Sequence, residues 1–176
     1  GGDLILNGAT LKTTAGSVAA NNMTTRSVTL NGNSAFYNTS ATNNVTFAGN
    51  ISGYGTFTVD QNSGSAGYLI LSGSNAYKGE ILLNQTDGKL SIASPNALKN
   101  ATLNLSGQRV YFNQSGNFAY HIGGLKGNAL NFDMGTATAD GGNGMVSIGS
   151  NNQSNVFQGV LSGNAGLIKQ GTGTQT

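Results

Sequence analysis

Apolar and polar residues alternate along this chain in short bursts, and each burst ends on Gly, Asn or Ser. In residues 1–14, Leu4 and Leu6 fall on one side of an extended segment, Asn7-Gly8 interrupts it, and Ala9-Thr10-Leu11 resumes the alternation. That pattern predicts two half-buried strands joined by a turn, with Asn and Gly there because both tolerate positive φ. Residues 15–26 are small and polar and are predicted as a loop. Alternation returns at Val28 and Leu30, Asn31-Gly32 turns the chain again, and Ala35-Phe36-Tyr37 opens another strand. The series continues through Val45 and Phe47, Ile51, Phe57 and Val59, Leu69 and Leu71, Ile81 and Leu83, and Leu90 and Ile92. The second half repeats it less regularly at Leu103 and Leu105, Val110 and Phe112, Phe118 and Tyr120, Leu130 and Phe132, and Val146 and Ile148. Pro95-Asn96-Ala97-Leu98 is predicted as a single helical turn, and nothing longer has helical periodicity.

The bursts also repeat at longer range. Phe47-Ala48-Gly49-Asn50-Ile51-Ser52-Gly53 returns in the last part of the chain as Phe157-Gln158-Gly159-Val160-Leu161-Ser162-Gly163. An aliphatic residue followed by Asn or Ser and then Gly recurs at Leu6, Leu30, Ile51, Leu71, Leu105 and Leu161. Its first spacings are roughly 20 to 24 residues, within the range of solenoid repeats. A degenerate copy stands at Leu125-Lys126-Gly127, and longer loops are expected between Gly135 and Gly144. Recurrence at this period is the mark of one unit stacked on itself. It predicts an all-β chain wound as a parallel β-helix of roughly seven to nine coils, some 35 to 40 Å long at about 4.8 Å per coil. Inward Leu, Ile, Val and Phe would form ladders in the bore, and Asn at the turns would form amide ladders between coils. The alternative for short strands at such spacing is an antiparallel β-sandwich.

Composition narrows the chemistry. The chain has 176 residues, 28 glycines, one proline (Pro95), 8% charged residues and 37% hydrophobic ones. A single domain of that length buries roughly 70% of its unfolded surface, and the patterned apolar content separates it from charge-rich disordered chains. The formal charge of +2 is spread singly over Lys12, Arg26, Lys78, Lys89, Lys99, Arg109, Lys126 and Lys169. With no basic stripe there is no footprint for nucleic acid. There is no cysteine, so neither disulfides nor thiolate metal ligands or nucleophiles are available. No apolar run approaches the roughly 18 residues of a membrane-spanning helix.

Phe157 to Gly163, then Gly166-Leu167-Ile168-Lys169-Gln170-Gly171-Thr172-Gly173, and Leu69-Ile70-Leu71-Ser72-Gly73-Ser74-Asn75-Ala76-Tyr77-Lys78-Gly79 followed by Gly88-Lys89-Leu90 resemble the strand repeats of bacterial autotransporter passenger domains. The likeness covers about a third of the chain on the repeat logic, and the first copy departs from it because Phe57-Thr58-Val59-Asp60 lacks the following Gly-x-Gly. The resemblance implies a right-handed parallel β-helix exported by type V secretion across the outer membrane of a Gram-negative bacterium, with residues 1–176 one fragment of a larger passenger. It further implies an extracellular, surface-displayed virulence factor, commonly an adhesin or self-association factor. A vacuolating-cytotoxin-like passenger is a specific variant.

Candidate reaction chemistry is sparse. A serine-protease passenger would carry Gly-Asp-Ser-Gly after its His; Asp60-Gln61-Asn62-Ser63-Gly64-Ser65 is only an echo, and His121, the single histidine, follows it. His121 in Ala119-Tyr120-His121-Ile122 is expected to face outward, without the second His or Cys an ordinary zinc site needs. Asp3, Asp60, Glu80, Asp87, Asp133 and Asp140 form no recognisable pair in sequence, leaving a polysaccharide-active β-helix dependent on how the fold gathers them. Asp140-Gly141-Gly142-Asn143-Gly144 resembles a calcium nonapeptide, but its last ligand position is Val146. Asn44-Val45-Thr46 and Asn113-Gln114-Ser115 match glycosylation acceptors as chance predicts in an Asn/Ser/Thr-rich chain. Of Tyr37, Tyr54, Tyr68, Tyr77, Tyr111 and Tyr120, Tyr68 and Tyr111 flank inward Leu69 and Phe112 and are expected outside, with about half of the six in the core.

No catalytic, cofactor or metal residue is therefore assigned. The reading is a non-catalytic adhesive or self-associating segment, partnered by a host cell surface, extracellular matrix, glycans or a like molecule. The alternative is a receptor-binding or scaffold part of a toxin, or of an extracellular polysaccharide-active enzyme.

Overall fold

The structure, a computed structural model, describes residues 2–13, 22–39, 42–61, 64, 66–84, 88–106, 110–112, 119–129, 131–134 and 144–176. Its strands are β1 (Leu4–Asn7), β2 (Thr10–Lys12), β3 (Asn22–Thr24), β4 (Val28–Asn31), β5 (Ser34–Asn38), β6 (Val45–Phe47), β7 (Ile51–Gly53), β8 (Thr56–Gln61) and β9 (Leu69–Leu71). The series continues with β10 (Glu80–Leu83), β11 (Leu90–Ile92), β12 (Leu98–Leu105), β13 (Val110–Phe112), β14 (Ala119–Gly127), β15 (Asn131–Asp133), β16 (Met145–Ile148), β17 (Val160–Ser162) and β18 (Gly166–Lys169). Among the described residues there is no α-helix.

Every pairing between these strands is parallel. Parallel neighbours need a long connection. Here the connection is one circuit of the chain: Leu11, Phe36, Val59, Leu83 and Leu105 stand above one another, one to each circuit. The chain is a β-solenoid of about six turns, and the antiparallel sandwich has no counterpart in it. On one face β2, β5, β8, β10, β12 and β14 are consecutive rungs; β16 and β18 join the same sheet through the first half of β14. The count falls slightly below the seven to nine coils expected because later circuits lengthen. The circuits from Tyr120 to its partner Val146 and from Phe132 to Leu161 take more chain than the one from Leu83 to Leu105.

The rungs β4, β5, β8, β9 and β10 bury every second residue, as the alternation requires, whereas β6 and β11 are buried throughout. In β8 and β10 the pattern places Phe57, Val59, Ile81 and Leu83 inside and the residues between them outside. Stacking turns this into continuous columns: Phe57, Ile81, Leu103 and Leu125 form one, and Phe47, Leu71, Ile92 and Phe112 another. Aromatic side chains tie neighbouring columns. Phe47 sits 5.9 Å from Phe36 and 6.4 Å from Phe57 between ring centroids, and Phe112 sits 4.6 Å from Tyr120 and 5.8 Å from Phe132. The expected amide ladder is present at Asn31 and Asn7, where Asn31 Nδ2 donates to Asn7 Oδ1 at 2.9 Å.

Three sequence expectations change at the corners. The two long-range copies are out of phase: Phe47, Ile51 and Phe57 end or occupy β6, β7 and β8, whereas Phe157 precedes β17 and Leu167 lies in β18, which stacks on the β14–β16 face. The aliphatic-Asn/Ser-Gly triplet thus marks a corner of any face rather than one fixed place in the coil. Ile51-Ser52-Gly53 accordingly stacks on Val28-Thr29-Leu30, two positions out of line with Leu30-Asn31-Gly32. At the first Asn-Gly corners only the glycines have positive φ (Gly8 at 64°, Gly32 at 77°), while Asn7 and Asn31 finish their strands. Residues 22–24, predicted as part of a loop, form β3 because they lie in register with β6; no alternation in Asn22-Met23-Thr24 announces it. Pro95 to Ala97 make a hydrogen-bonded turn, Ala97 N–H donating to Ser94 O at 3.1 Å.

The turn after β9 has no strand over Ser72–Gly79, and side chains replace the missing ladder. Asn75 is buried; its Oδ1 accepts from Ile51 N–H at 2.9 Å and its Nδ2 donates to Ala97 O at 3.0 Å, linking the turns before and after. Tyr77, also buried, donates its hydroxyl to Gly55 O at 2.7 Å. Gln175 does the same for β14, donating to Leu125 O at 2.7 Å and accepting from Leu125 N–H at 3.2 Å. A planar amide carries a donor and an acceptor side by side, so it can stand in for one peptide of a neighbouring strand.

Both the corners and the buried phenol can be tested by substitution. A Cβ on Gly53, whose φ is 104°, would collide with the Leu30 carbonyl, whereas one on Gly32 would meet open space. Gly53→Ala is expected to destabilise by roughly 2 kcal/mol or more and Gly32→Ala by about 1 kcal/mol, the difference read from urea midpoints. Tyr77 has its phenol pKa pushed above the ordinary value by burial and, second, by the charge of Glu80. The folded chain holds that phenol neutral, so its contribution is intact below about pH 10 and is lost as pH rises further and the unfolded chain ionises. Tyr77→Phe, weaker by about 1 kcal/mol at neutral pH for the lost hydrogen bonds, should show a smaller fall in urea midpoint between about pH 9 and pH 11 than the parent.

Candidate functional site

Two of the described carboxylates, Glu80 and Asp60, are engaged between turns. Glu80, at the start of β10, accepts from Asn104 Nδ2 at 2.6 Å and pairs with Lys126 Nζ at 2.5 Å, so one carboxylate spans the outer positions of three turns. Asp60, at the end of β8, accepts from Asn84 Nδ2 at 3.0 Å and from Gln61 N–H at 2.9 Å. Asp60 stands four positions along β8 from Thr56, the partner of Glu80, or about 13 Å along the strand direction. Asp3 and Asp133 are exposed, and Asp87 and Asp140 lie outside the described residues. Among the described residues no three His, Cys, Asp or Glu side chains gather where a metal ion could sit.

His121 faces outward on β14 between inward Tyr120 and Ile122, as its parity predicts. Partial burial, and after it the charge of Lys99, holds its pKa below the ordinary histidine value. Ser63 and Ser65 of the protease echo, residues 140–143 of the calcium-like stretch, Asn113-Gln114-Ser115, Arg109, Phe118 and Leu130 lie outside the described residues. In the other glycosylation-like triplet Asn44 is half-buried and Thr46 is buried.

The tyrosines separate into classes. Tyr77 and Tyr120 are buried, two of six rather than half. Tyr37 stacks under Lys12 Nζ at 5.4 Å, and Tyr54 is 64% exposed at a corner. Tyr68 and Tyr111, as their parity predicts, are on the outside, and their rings meet edge to face with centroids 4.9 Å apart at 87°. That contact joins alternate turns, since Tyr68 immediately precedes β9, Tyr111 lies in β13 and β11 runs between. Strands two rungs apart are separated by about 10 Å, so the rings must lean toward each other. Ser91, the β11 residue in register with Tyr111 and Ile70, is small enough to let them and is itself only 5% exposed. Asn44 closes one side, its Oδ1 accepting from Tyr68 N–H at 2.9 Å. The result is a concavity of about 280 Å³ on the outer face, lined by Asn44, Tyr68, Ile70, Ser91 and Tyr111, with Phe112 beneath.

A second concavity, of about 260 Å³, lies at the last turn of the bore. Leu161 and Leu167 hold inward positions there, in register with buried Phe132 and Val146, and are 37% and 50% exposed. Lys169 lies over the same end and donates its Nζ to Gln170 O and Gly171 O.

No protein-family model matches the chain, and no curated protein or solved structure is similar to it. Among the described residues no helix is long and apolar enough to cross a membrane.

The tyrosine contact is open to direct measurement. In a double-mutant cycle of Tyr68→Ala and Tyr111→Ala, the coupling energy from urea unfolding should be about 0.5 to 1.5 kcal/mol, the range for an aromatic pair beyond its area. A value near zero would show that the rings do not touch in solution.

Proposed function

We propose that this chain is a non-catalytic segment of a secreted autotransporter passenger, acting at the bacterial surface in adhesion or self-association. The observation that carries the proposal is the character of the outer surface. Hydroxyls and amides stand there in columns, Thr29 beside Ser52 and Asn31 over Asn7, on a backbone held by continuous parallel ladders. Two of the described carboxylates, Asp60 and Glu80, are engaged with Asn84, Asn104 and Lys126 as parts of those columns. A weakly charged surface of regularly spaced hydrogen-bonding groups presents many equivalent weak contacts to a host surface or a like molecule, and such contacts gain strength through multivalent display. Secretion by type V export and residence outside the cell rest on the resemblance of Leu69 to Gly79 and Phe157 to Gly173 to passenger repeats.

Beads coated with the whole chain test this reading. They are expected to aggregate or to attach to cultured epithelial cells, and excess soluble chain should reduce either effect about tenfold or more. Beads that neither aggregate nor attach, while the chain kills cells or releases reducing ends from a polysaccharide, would assign it to the toxin or enzyme class instead.

A further inference from the structure

The outer face of the β3–β6–β9–β11–β13 sheet departs from the rest of the surface at one place. Its rows are set by the register of Val45, Leu69, Leu90 and Val110, so the outward residues form two columns, Asn44, Tyr68 and Lys89 in one and Thr46, Ile70, Ser91 and Tyr111 in the other. Many outward positions of the described strands carry Asn, Ser or Thr. Here two phenol rings at right angles form a corner, Ile70 and Ser91 form its floor, and Asn44 stands at its edge.

We propose that this concavity binds a neutral saccharide, with one pyranose unit seated against the rings of Tyr68 and Tyr111. A pyranose has an apolar face of C–H groups and a rim of hydroxyls. The ring faces accept the first by dispersion and by the attraction of C–H groups to the aromatic quadrupole, while the Asn44 amide at the edge of the concavity offers the rim a donor. A charged ligand fits the place less well, because the residues lining the concavity carry no ionisable group besides the phenols. A folded protein partner would need about 800 Å² of matched surface, and a corner of five side chains across two columns is far smaller. A site this shallow binds with a Kd on the order of 1 mM, which suits a surface displayed in many copies. The assignment rests on the adhesive reading above and names what that surface would hold.

The whole chain is titrated with the tetramers of β1,4-linked glucose, of β1,4-linked N-acetylglucosamine and of α1,4-linked glucose. Binding is followed by ligand-observed NMR and by emission, which in a chain without Trp comes from tyrosine. At least one tetramer is expected to bind saturably with a Kd on the order of 1 mM. Tyr111→Ala and Tyr68→Ala should each weaken it about tenfold, Tyr111→Phe should retain most of it, and Tyr54→Ala should leave it unchanged. Tyr68→Leu replaces the alanine variant if that fails to fold, since it keeps apolar bulk and removes the ring. No saturation by any tetramer below about 20 mM, or unaltered binding by the ring-deleted variants, overturns the site. So does concentration-dependent association of the chain that broadens the tyrosine signals while all three sugars stay inert; the pair then belongs to a contact between copies. Bead attachment separates the two readings. Beads that attach although no sugar binds keep the adhesive function and remove this site, whereas a chain that binds sugar but whose beads attach to nothing keeps the site and removes the adhesive function.

Discussion

Everything in this molecule depends on parallel stacking in register, residue upon residue, one circuit of the chain apart. A side chain in the middle of the stack has its own counterpart above and below it, and the three share a parity: Leu69 lies between Val45 and Leu90, all buried. A one-residue slip would send every inward residue of a rung to the surface, so the bore holds the register and the register holds the outer columns. Glu80, Asn104 and Lys126 can meet only because their rungs are locked by Ile81, Leu103 and Leu125 beneath them. The same lock places Tyr68 near Tyr111. The outer surface is therefore a consequence of the core, although no outer residue lines that core.

Corners set the second constraint. A chain that turns between faces brings its backbone against the carbonyl of the turn below, and at Gly53 the approach to Leu30 leaves no room for a side chain. That close approach explains the abundance of glycine better than flexibility does: the residue is needed where two backbones touch. Charged residues are scarce for a related reason. Like charges stacked one rung apart would repel at about 5 Å, whereas Asn, Ser and Thr can satisfy one another in a column, as Asn31 and Asn7 do.

Parity was legible in the sequence because it needs only the period of two. Inward Phe57, Val59, Ile81, Leu83, Leu90 and Ile92 are all buried, and Tyr68, Tyr111 and His121 are outside as their neighbours require. The phase of the repeat was not legible. The triplet ending in Gly reports a corner without saying which, so the distant copy at Phe157 reads as an equivalent place and is not one. β3 was hidden because Asn22-Met23-Thr24 has no alternation of its own and is a strand only by virtue of β6. The contact between Tyr68 and Tyr111 was hidden for the same kind of reason: it needs the ring of a residue two turns away, and it needs Ser91 between them to be small. Neither condition can be read from the flanking residues of either tyrosine.

The resemblance of Leu69 to Gly79 to passenger repeats acquires a physical meaning from this structure. Leu69 and Leu71 fill the bore, Gly73 passes against the backbone of Gly49, Asn75 supplies the ladder that the turn lacks, Tyr77 anchors its hydroxyl on Gly55, and Gly79 makes room for that ring. Each of these residues answers a demand of winding the chain upon itself. A motif of this sort argues for the solenoid more strongly than for any activity, since function resides in sites carried by a fold and not in the fold. What distinguishes this chain from another solenoid of the same build must then lie in outward residues that the winding does not dictate. The corner of Tyr68, Ile70, Ser91 and Tyr111 is such a place, because the bore fixes where those residues stand and leaves open what they are.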